Sequence, residues 1–418
     1  MRKLFAKFIQ IYLEMMVRLM LIIHRPKVIA ITGSVGKTTT RSMIDQLLDG
    51  KVKYNRGKSG YNTEIGLLMV IFEQSVPSNL SSITQWSKII LRVMKLALRY
   101  PYDYLVLEMG ADKPGDIAHF LGYIRPDIAI ITGIGASHTE GFGSLEAVLN
   151  EKWKLAQAAR QVVIYNRDFE LIRQKAMTLD GNRLSYSANS QDADYCLEAV
   201  NLLSQGLAGN LRTPNKELEF ASRLVGRVQL AAGLAGLATL DCLGIRWSID
   251  DYNQLEAVAG RSKLLISDSH IRIIDDSYNA SAVSILAGLD TLVELAKEGR
   301  KTFVFGQINE LGKLAHQEHV KVAKRANQLV DQVYGLGPEV EKLAKYFDQA
   351  SFRYFPDPYS LGEALRQELK SGDTVLVKGS QNQVFSEEVI ATIAPELKDQ
   401  LVRQTPEWRK RKRESFNR

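Results

Sequence analysis

Cysteine is nearly absent from the sequence: Cys196 and Cys242 are the two in 418 residues, and they lie far apart. This number and spacing fit neither a disulfide framework nor a zinc site, and they agree with a reducing cytoplasm. Internal repeats and low-complexity tracts are also missing. With 45% hydrophobic and 24% charged residues, the chain has the composition of a globular protein with two or three domains.

A large excess of one charge is missing as well, since the formal net charge is only +7. Much of that excess lies in the terminal segments MRKLFAK and EWRKRKRESFNR, and the body of the chain is close to neutral. This distribution argues against nucleic-acid binding as the main function. The C-terminal segment 404–418 is expected to be a solvated, frayed basic tail.

A long uninterrupted apolar run is absent too. The segment LFAKFIQIYLEMMVRLMLII is apolar, but Lys7, Glu14 and Arg18 interrupt it, whereas a spanning helix needs roughly 20 predominantly apolar residues. It also lacks the small-residue cleavage site of a signal peptide. Residues 1–27 are therefore predicted to form an amphipathic helix that packs on the protein or, alternatively, lies on a membrane surface or against a partner.

Short β-branched runs alternate with helical segments along the chain. The first set of predicted strands is KVIAIT, YDYLVLEMG, PDIAIITGIG and QVVIYN; the second set, after Gly260, is RIIDDSYNA, KTFVFGQI, QVYGLG and DTVLVKGS. Helical stretches such as TTTRSMIDQLLDG lie between them. The alternation predicts an α/β fold with parallel sheets, divided into domains at residues 28–259 and 260–403.

One connection from strand to helix has the composition of a phosphate-binding loop. Residues 28–40 read VIAITGSVGKTTT, and the glycines would let backbone N–H groups surround a phosphate at the start of the following helix. Two residues rather than four separate these glycines, but the strand, loop and helix context favours ATP or GTP over a structural turn. The predicted nucleotide-binding residues are Gly33, Ser34, Val35, Gly36, Lys37, Thr38 and Thr39.

Two further polar residues follow predicted strands. Glu108 ends YLVLE, and His138 follows IAIITGIG within GASHTEGFGS. A carboxylate that leaves a buried strand needs a partner, and a cation beside the phosphates would supply one. Because ligands in open parallel sheets gather at the carboxyl ends of the strands, Glu108, His138 and the loop are expected to converge. A helix cap or a surface turn is the structural alternative.

Several long segments, in the same order, resemble the Mur ligase family, most closely its D-alanyl-D-alanine-adding branch. They are GSVGKTTT, EMGADKPGDIAHFLGYIRPDIAIITGIGASHTEGFGSLEAV, IIDDSYNASAVS and LVKGS, within about residues 28–395. The resemblance implies a central ATPase domain followed by a C-terminal Rossmann-like domain. It also implies a cytoplasmic, ATP-dependent ligase that joins D-Ala-D-Ala to a UDP-MurNAc-tripeptide-like muramyl-peptide precursor through an acyl phosphate.

The resemblance further implies roles for individual residues, with ATP and two Mg²⁺ ions as the cofactors. Lys152 matches a lysine that is carbamylated in the family, and a carbamate would suit a second Mg²⁺. Lys378 could hold a substrate carboxylate or an adjacent acidic side chain. The implied positions are Lys37, Lys152, His138 and Arg261 for catalysis; Asp276, Tyr278 and Asn279 for the nucleotide; Asn62, Thr63 and Lys378 for the substrate; and Thr38, Glu108, His138 and Lys152 for the metal.

Several departures from the family's pattern keep other functions open. Only about 27 residues precede the loop strand, so the family's domain that grips the nucleotide sugar is expected to be absent. The sequence also differs from the family's pattern at Lys154, at Lys263 and in the segment SQNQ. It differs again where adenine contacts are expected, at Val228, Gln229 and Ala232. One alternative is a Mur-family amide ligase with another acceptor, such as an amino-acid polymer or a folate-like chain. Another is a non-catalytic ATP-binding partner.

Overall fold

The computed structural model describes residues 2–56, 64–77, 82–135, 139–203, 206–297, 299–348 and 351–416, and within them the chain forms two sheets flanked by helices. The strands are β1 (Lys27–Thr32), β2 (Tyr54–Asn55), β3 (Tyr104–Glu108), β4 (Ile128–Ile131), β5 (Val162–Asn166), β6 (Arg183–Ser187), β7 (Tyr195–Leu203), β8 (Gly206–Arg212), β9 (Glu217–Ser222), β10 (Lys263–Ile266), β11 (Arg272–Asp276), β12 (Lys301–Gly306), β13 (Gln332–Leu336), β14 (Phe352–Phe355) and β15 (Thr374–Lys378). The strands predicted from sequence fall in both sheets, which confirms the α/β fold class.

Helices connect these strands. They are α1 (Arg2–His24), α2 (Lys37–Leu48), α3 (Glu64–Ile71), α4 (Ile83–Leu98), α5 (Asp116–Leu121), α6 (Thr139–Phe142), α7 (Leu145–Ala158), α8 (Glu170–Ala176), α9 (Arg227–Leu243), α10 (Ile249–Asn253), α11 (Ala282–Leu295), α12 (Ala315–Leu329), α13 (Pro338–Glu341), α14 (Pro358–Glu368), α15 (Glu387–Ile393) and α16 (Pro406–Ser415). Short 3₁₀ turns occur at Gly312–Leu314, Ala344–Tyr346 and Pro395–Gln400.

The first sheet has the order β2-β3-β1-β4-β5-β6-β7-β8-β9. Its strands are parallel from β2 to β7, and β8 and β9 extend it antiparallel. Side chains of β1 alternate between two cores: Ile29 and Ile31 pack with α2 and α9, whereas Val28 and Ala30 pack with α1, α3, α4 and α5. Because β1 is buried on both faces, its sequence is a continuous apolar run.

The second sheet has the order β10-β11-β15-β12-β13-β14, in which only the β10–β11 pair is antiparallel. Helices α11 and α12 cover one face and α14 and α15 cover the other. Asp276 and Lys378 are partners in register at the carboxyl ends of β11 and β15. This arrangement brings the DDSYNA and LVKGS segments to one edge of the sheet.

The N-terminal segment forms the predicted helix, α1, and packs on the protein. Its side chains Ile9, Leu13, Met16, Val17 and Met20 are buried in the core beneath the first sheet. Within the described part of the chain, no helix is long and apolar enough to cross a membrane.

The expectation of a frayed C-terminal tail is wrong for residues 406–415, which form α16. Lys412 is only 1% exposed, and its Nζ atom lies 2.8 Å from Glu387 and 2.6 Å from Glu388. A buried ammonium needs such partners because desolvation without them is costly. The basic composition of the tail thus serves in part to fix α16 to α15.

Candidate active site

The phosphate loop lies between β1 and α2, at the carboxyl edge of the first sheet. Gly36 precedes α2 with φ 87°, in the left-handed region that favours glycine. A Cβ atom on Gly33 would lie 2.2 Å from Oγ1 of Thr132, and that hydroxyl donates to the Val35 carbonyl at 2.6 Å. Position 33 therefore has no room for a side chain, and the N-terminus of α2 is available to an anion.

Lys37 is half-buried at the start of α2, and its Nζ atom donates to the carbonyl of Gly33 at 2.7 Å. Burial lowers the pKa of the Lys37 ammonium, the Arg261 cation adds to this, and the carboxylates of Glu108 and Asp112 oppose it. The side chain folds back over the loop, where a phosphate group would find it. Asp112 was not singled out from the sequence, because it follows β3 in a loop without a strong pattern.

Thr38 and Glu108 come together as predicted. The Oγ1 atom of Thr38 lies 3.1 Å from each carboxylate oxygen of Glu108, which is 7% exposed at the end of β3. Among the described residues, no group of three or more His, Cys, Asp or Glu side chains forms a metal cage. A Mg²⁺ ion at this pair would also take ligands from phosphate oxygens and water, as Mg²⁺ commonly does.

Lys152 lies on α7 and is 1% exposed. Burial lowers its pKa to about 7, and the nearby Lys37 cation contributes to the shift, against Asp112, Glu151 and Asp116. Its neighbour Glu151 accepts hydrogen bonds from Ile117 N at 2.9 Å and from Lys154 Nζ at 2.6 Å. Lys154, the unexpected residue of this segment, therefore pairs with Glu151, which also accepts from the first turn of α5. The interaction of Lys152 with the Lys37 cation relates it to the phosphate loop.

Of the two alternatives for Lys378, the structure shows the ion pair. Its Nζ atom lies 2.6 Å from Oδ2 of Asp276 and 3.1 Å from the carbonyl of Asn279, and the residue is 1% exposed. A side chain that is buried and engaged in this way orients the Asp276–Asn279 loop. That Lys378 also holds a substrate carboxylate stays a prediction.

Arg261 approaches the phosphate loop from the second sheet. Its guanidinium stacks on the ring of Tyr278 at 4.4 Å, and Arg403 lies against the same ring at 5.6 Å. Arg403 also donates to the carbonyls of Ser277 and Tyr278 at 2.8 and 3.0 Å and pairs with Glu387. Two cations thus fix the Tyr278 ring beside the cleft. The contribution of Arg403 was missed from sequence, because it lies in an irregular segment far along the chain.

Gly260, the first residue of the second predicted domain, has φ 70° and donates its N–H to Asp275 at 2.9 Å. The same carboxylate accepts from the Ser277 hydroxyl at 2.6 Å. Burial raises the pKa of Asp275 to about 6, with these hydrogen bonds opposing the shift. The junction between the two sheets is therefore attached to the loop that carries Asp276 and Tyr278.

A cleft of about 290 Å³ lies between the two sheets, lined by the phosphate loop and Glu108 on one side and by Arg261 and residues 278–281 and 380–382 on the other. A second cavity, of about 230 Å³, lies beside Val35 and is lined among others by Asn166, Phe169 and Arg227. Asn166 is the last residue of a predicted strand, and this position was the available signal for the second cavity. The cleft and the second cavity together offer space for a phosphate chain and a planar group.

Three predicted residues, Asn62, Thr63 and His138, lie outside the described residues. The divergent residues of α9 are described. Gln229 donates to the carbonyl of Arg261 at 2.5 Å and accepts from Gly226 N at 3.3 Å, and Val228 lines the cavity beside Val35. Gln229 thus links the first turn of α9 to the junction at Arg261.

Two domain models match the chain. The Mur ligase middle domain matches residues 31–240, and the Mur ligase glutamate ligase domain matches residues 260–381. Among curated relatives, the UDP-N-acetylmuramoyl-tripeptide--D-alanyl-D-alanine ligase of Escherichia coli K12 is 27% identical over 380 residues, covering 87% of this chain and 76% of the relative. The enzyme of the same name from Bacillus subtilis is 27% identical over 370 residues, covering 86% and 74%.

Solved structures agree with these matches. MurF ligase from Thermotoga maritima in complex with ADP has a TM-score of 0.77 and 25% identity, over 93% of this chain and 84% of that chain. Escherichia coli FolC in complex with DHPP and ADP shares the fold, with a TM-score of 0.64 and 18% identity over 93% and 92%. The two matched domain models, which cover most of the chain, show that it belongs to the Mur ligase family.

Proposed function

We propose that the protein is an ATP-dependent, ADP-forming amide ligase that joins D-alanyl-D-alanine to a UDP-MurNAc-tripeptide-like acceptor in peptidoglycan precursor synthesis. The observation that carries the proposal is the cleft in which the phosphate loop faces Arg261 and Tyr278. The names of the curated relatives in two bacteria support the choice of substrates. The ADP in the MurF structure supports the choice of nucleotide.

The first step is transfer of the γ-phosphoryl group of ATP to the acceptor carboxylate, which gives an acyl phosphate. Phosphoryl transfer depends mainly on positioning and charge neutralisation. Backbone N–H groups at Gly33 to Thr39 would hold the phosphates, and Lys37 would exchange its bond to the Gly33 carbonyl for a phosphate oxygen. The second step is attack of the dipeptide amine on the acyl carbon, with inorganic phosphate as the leaving group.

Magnesium would neutralise charge on the phosphates, and the residues proposed to hold it are Thr38, Glu108, His138 and Lys152. The contact between Thr38 and Glu108 supports the first two. It is a hydroxyl and a carboxylate held together beside the phosphate loop, which are oxygen ligands of the kind that Mg²⁺ prefers.

A carbamate on Lys152 is the finer part of this proposal. Carbon dioxide reacts with a neutral amine, and a pKa of about 7 leaves a substantial neutral fraction at neutral pH. The product is an anion that Lys37 and a metal ion would stabilise. Nuclear magnetic resonance with ¹³C-bicarbonate tests this: a protein-bound carbamate carbon is expected in the wild type and in Lys154→Met, and its presence in Lys152→Met would contradict the assignment.

The second domain is proposed to complete the site. Residues 28–259 and 260–403 would act as separate domains that close at Gly260, bringing Arg261, Asp276, Tyr278 and Asn279 to the nucleotide. The base of the nucleotide would enter the cavity beside Val35 and Phe169. Asn62, Thr63 and Lys378 remain proposed substrate residues, and Lys378 is also proposed to orient the loop from Asp276 to Asn279.

The test is release of phosphate from ATP and Mg²⁺ with UDP-MurNAc-tripeptide and D-Ala-D-Ala added singly and together, with the product identified by mass. Phosphate release and a new amide that require both substrates are expected. Lys37→Met should reduce the rate roughly 100-fold or more, and Lys324→Met, at an exposed lysine of α12, should not. ATP binding without an amide product would refute the proposed acceptor and direct the search to an amino-acid polymer or a folate-like chain.

The same proposal places the reaction in the cytoplasm, where ATP and nucleotide-linked precursors are available. It also leaves the outer side of the N-terminal helix free to contact the inner face of the membrane or another protein.

A further inference from the structure

Helix α1 has two apolar sides, and only one of them is covered. On the side away from the core, Phe8, Ile11, Met15 and Ile22 are 62%, 56%, 52% and 69% exposed. Their spacing of three, four and seven residues places them on a single stripe of the helix. An exposed apolar stripe of this length on a soluble fold indicates an interaction surface.

Helix α4 widens the stripe. It lies beside α1, where the Tyr12 hydroxyl donates to the carbonyl of Ile90 at 2.9 Å. Helix α4 has exposed apolar side chains at the same helical spacing: Leu91, Met94 and Leu98 are 61%, 43% and 52% exposed. The residues of α1 and α4 together are called the α1–α4 face below.

The sequence of helices α1 and α4, with the residues beside them, is strongly basic. Residues 2–25 and 82–99 contain nine lysines and arginines and one acidic residue, Glu14. The rest of the chain therefore has 45 basic and 46 acidic residues, since the totals are 54 and 47. Glu14 is turned to the side, where its carboxylate accepts from Gln10 at 3.0 Å and contacts His119 at 3.2 Å.

A cationic cavity of about 560 Å³ opens at the C-terminal end of α1. Arg18, Ile22 and Arg25 of the exposed side line it, together with cations at the amino edge of the first sheet, Lys27, Arg125 and Arg160. Asp127 is the acidic residue in its wall, and Val28 N donates to it at 2.8 Å. Because the phosphate loop lies at the opposite, carboxyl edge, a ligand here would not compete with the nucleotide.

We propose that the α1–α4 face docks on a membrane surface that contains anionic phospholipid. The exposed apolar side chains enter the boundary between headgroups and acyl chains, and the phosphate of one lipid occupies the cationic cavity. Charge complementarity selects this occupant over a second copy of the chain, because a two-fold dimer through this face would bring two strongly basic surfaces together. The contact is peripheral, since none of the described helices could span a membrane.

The experiment is flotation of the full-length protein with vesicles of phosphatidylcholine alone or with 30% phosphatidylglycerol, at low and high salt. Binding is expected on the anionic vesicles only and is expected to weaken in high salt. The triple variant Lys88→Gln/Arg92→Gln/Lys95→Gln should bind at least tenfold more weakly, because each cation near an anionic surface contributes roughly fivefold. The double variant Leu91→Gln/Met94→Gln should also lose most of the binding.

Matched variants separate the face from general surface properties. Lys321→Gln/Lys324→Gln removes two exposed cations from α12, and Met177→Gln changes a methionine that is 65% exposed elsewhere; both should bind as the wild type does. Circular dichroism checks that each variant is folded. Absence of wild-type binding to anionic vesicles would overturn the proposal, as would equal binding of the α4 variants. A concentration-dependent dimer abolished by Leu91→Gln/Met94→Gln would instead assign the face to a second copy.

Discussion

The Nζ atom of Lys378 lies 2.6 Å from Oδ2 of Asp276, and the two residues end neighbouring parallel strands. Both are almost fully buried, so each charge depends on the other for its stability in the fold. The pair supports the loop that places Tyr278 and Asn279 at the cleft. If Lys378 serves mainly as the partner of Asp276, its replacement should lower the stability of the fold. If it serves mainly to bind substrate, its replacement should raise KM.

Replacement of Lys378 by methionine should destabilise the protein by roughly 3–5 kcal/mol, because Asp276 is left buried without its cation. The double variant Lys378→Met/Asp276→Asn should recover part of this loss. Urea denaturation of the single and double variants measures both values. A single variant of unchanged stability with a raised KM for the acceptor would show instead that Lys378 binds substrate.

Replacement of Glu108 by glutamine should weaken the response to Mg²⁺, because the amide no longer offers an anionic oxygen beside Thr38. We expect the Mg²⁺ concentration for half-maximal activity to rise roughly 10-fold or more. Glu146→Gln, which removes an exposed carboxylate at the start of α7, is the matched control and should leave it unchanged. Equal Mg²⁺ titrations for the two variants would exclude Glu108 from the metal site.

Asp275 should make stability depend on pH. Burial raises its pKa from 3.8 to about 6, so the folded state binds the proton more tightly than the unfolded state does. The cost of burying the charge is therefore absent below about pH 4, grows as the pH rises through 6, and is complete above it. Asp275→Asn mimics the neutral acid and should gain stability over the wild type toward pH 7, by up to about 3 kcal/mol.

Thermal or urea denaturation of Asp275→Asn and wild type at several values between pH 4 and 7 measures this gain. Asp268→Asn, at an exposed site two residues beyond β10, serves as the control and should show no such trend. A difference between Asp275→Asn and wild type that stays constant with pH would mean that the carboxyl does not titrate in this range.

Much of the fold was predictable because its signals are local. Strand β1 is buried on both faces, and its run of apolar residues is therefore continuous; the loop after it carries Gly36, where φ is 87°. The contact of Thr38 with Glu108 was also expected, since both residues sit at the carboxyl edge of adjacent parallel strands. These features follow from rules that act within a few residues or between neighbouring strands.

The remaining features depend on contacts between distant segments. Lys378 and Asp276 are 102 residues apart, and Arg403 reaches Ser277 over 126 residues, so no local pattern could pair them. The antiparallel strands β7 to β9 were also missed. A bulge between Glu198 and Asn201 interrupts the alternation of β7, and the period of two that predicts a strand is lost there.

Composition alone could not predict the environment of each lysine in the C-terminal helix α16, because two lysines close together in it differ in burial. Lys412 is buried against Glu387 and Glu388, whereas the side chain of Lys410 is 75% exposed. Lys412→Met should cost roughly 3 kcal/mol or more, since it leaves buried carboxylates short of a cation, and Lys410→Met should cost almost nothing. Urea denaturation compares the two. Equal stability of the variants would mean that α16 is not fixed to α15 in solution and that the tail is solvated, as its composition alone suggests.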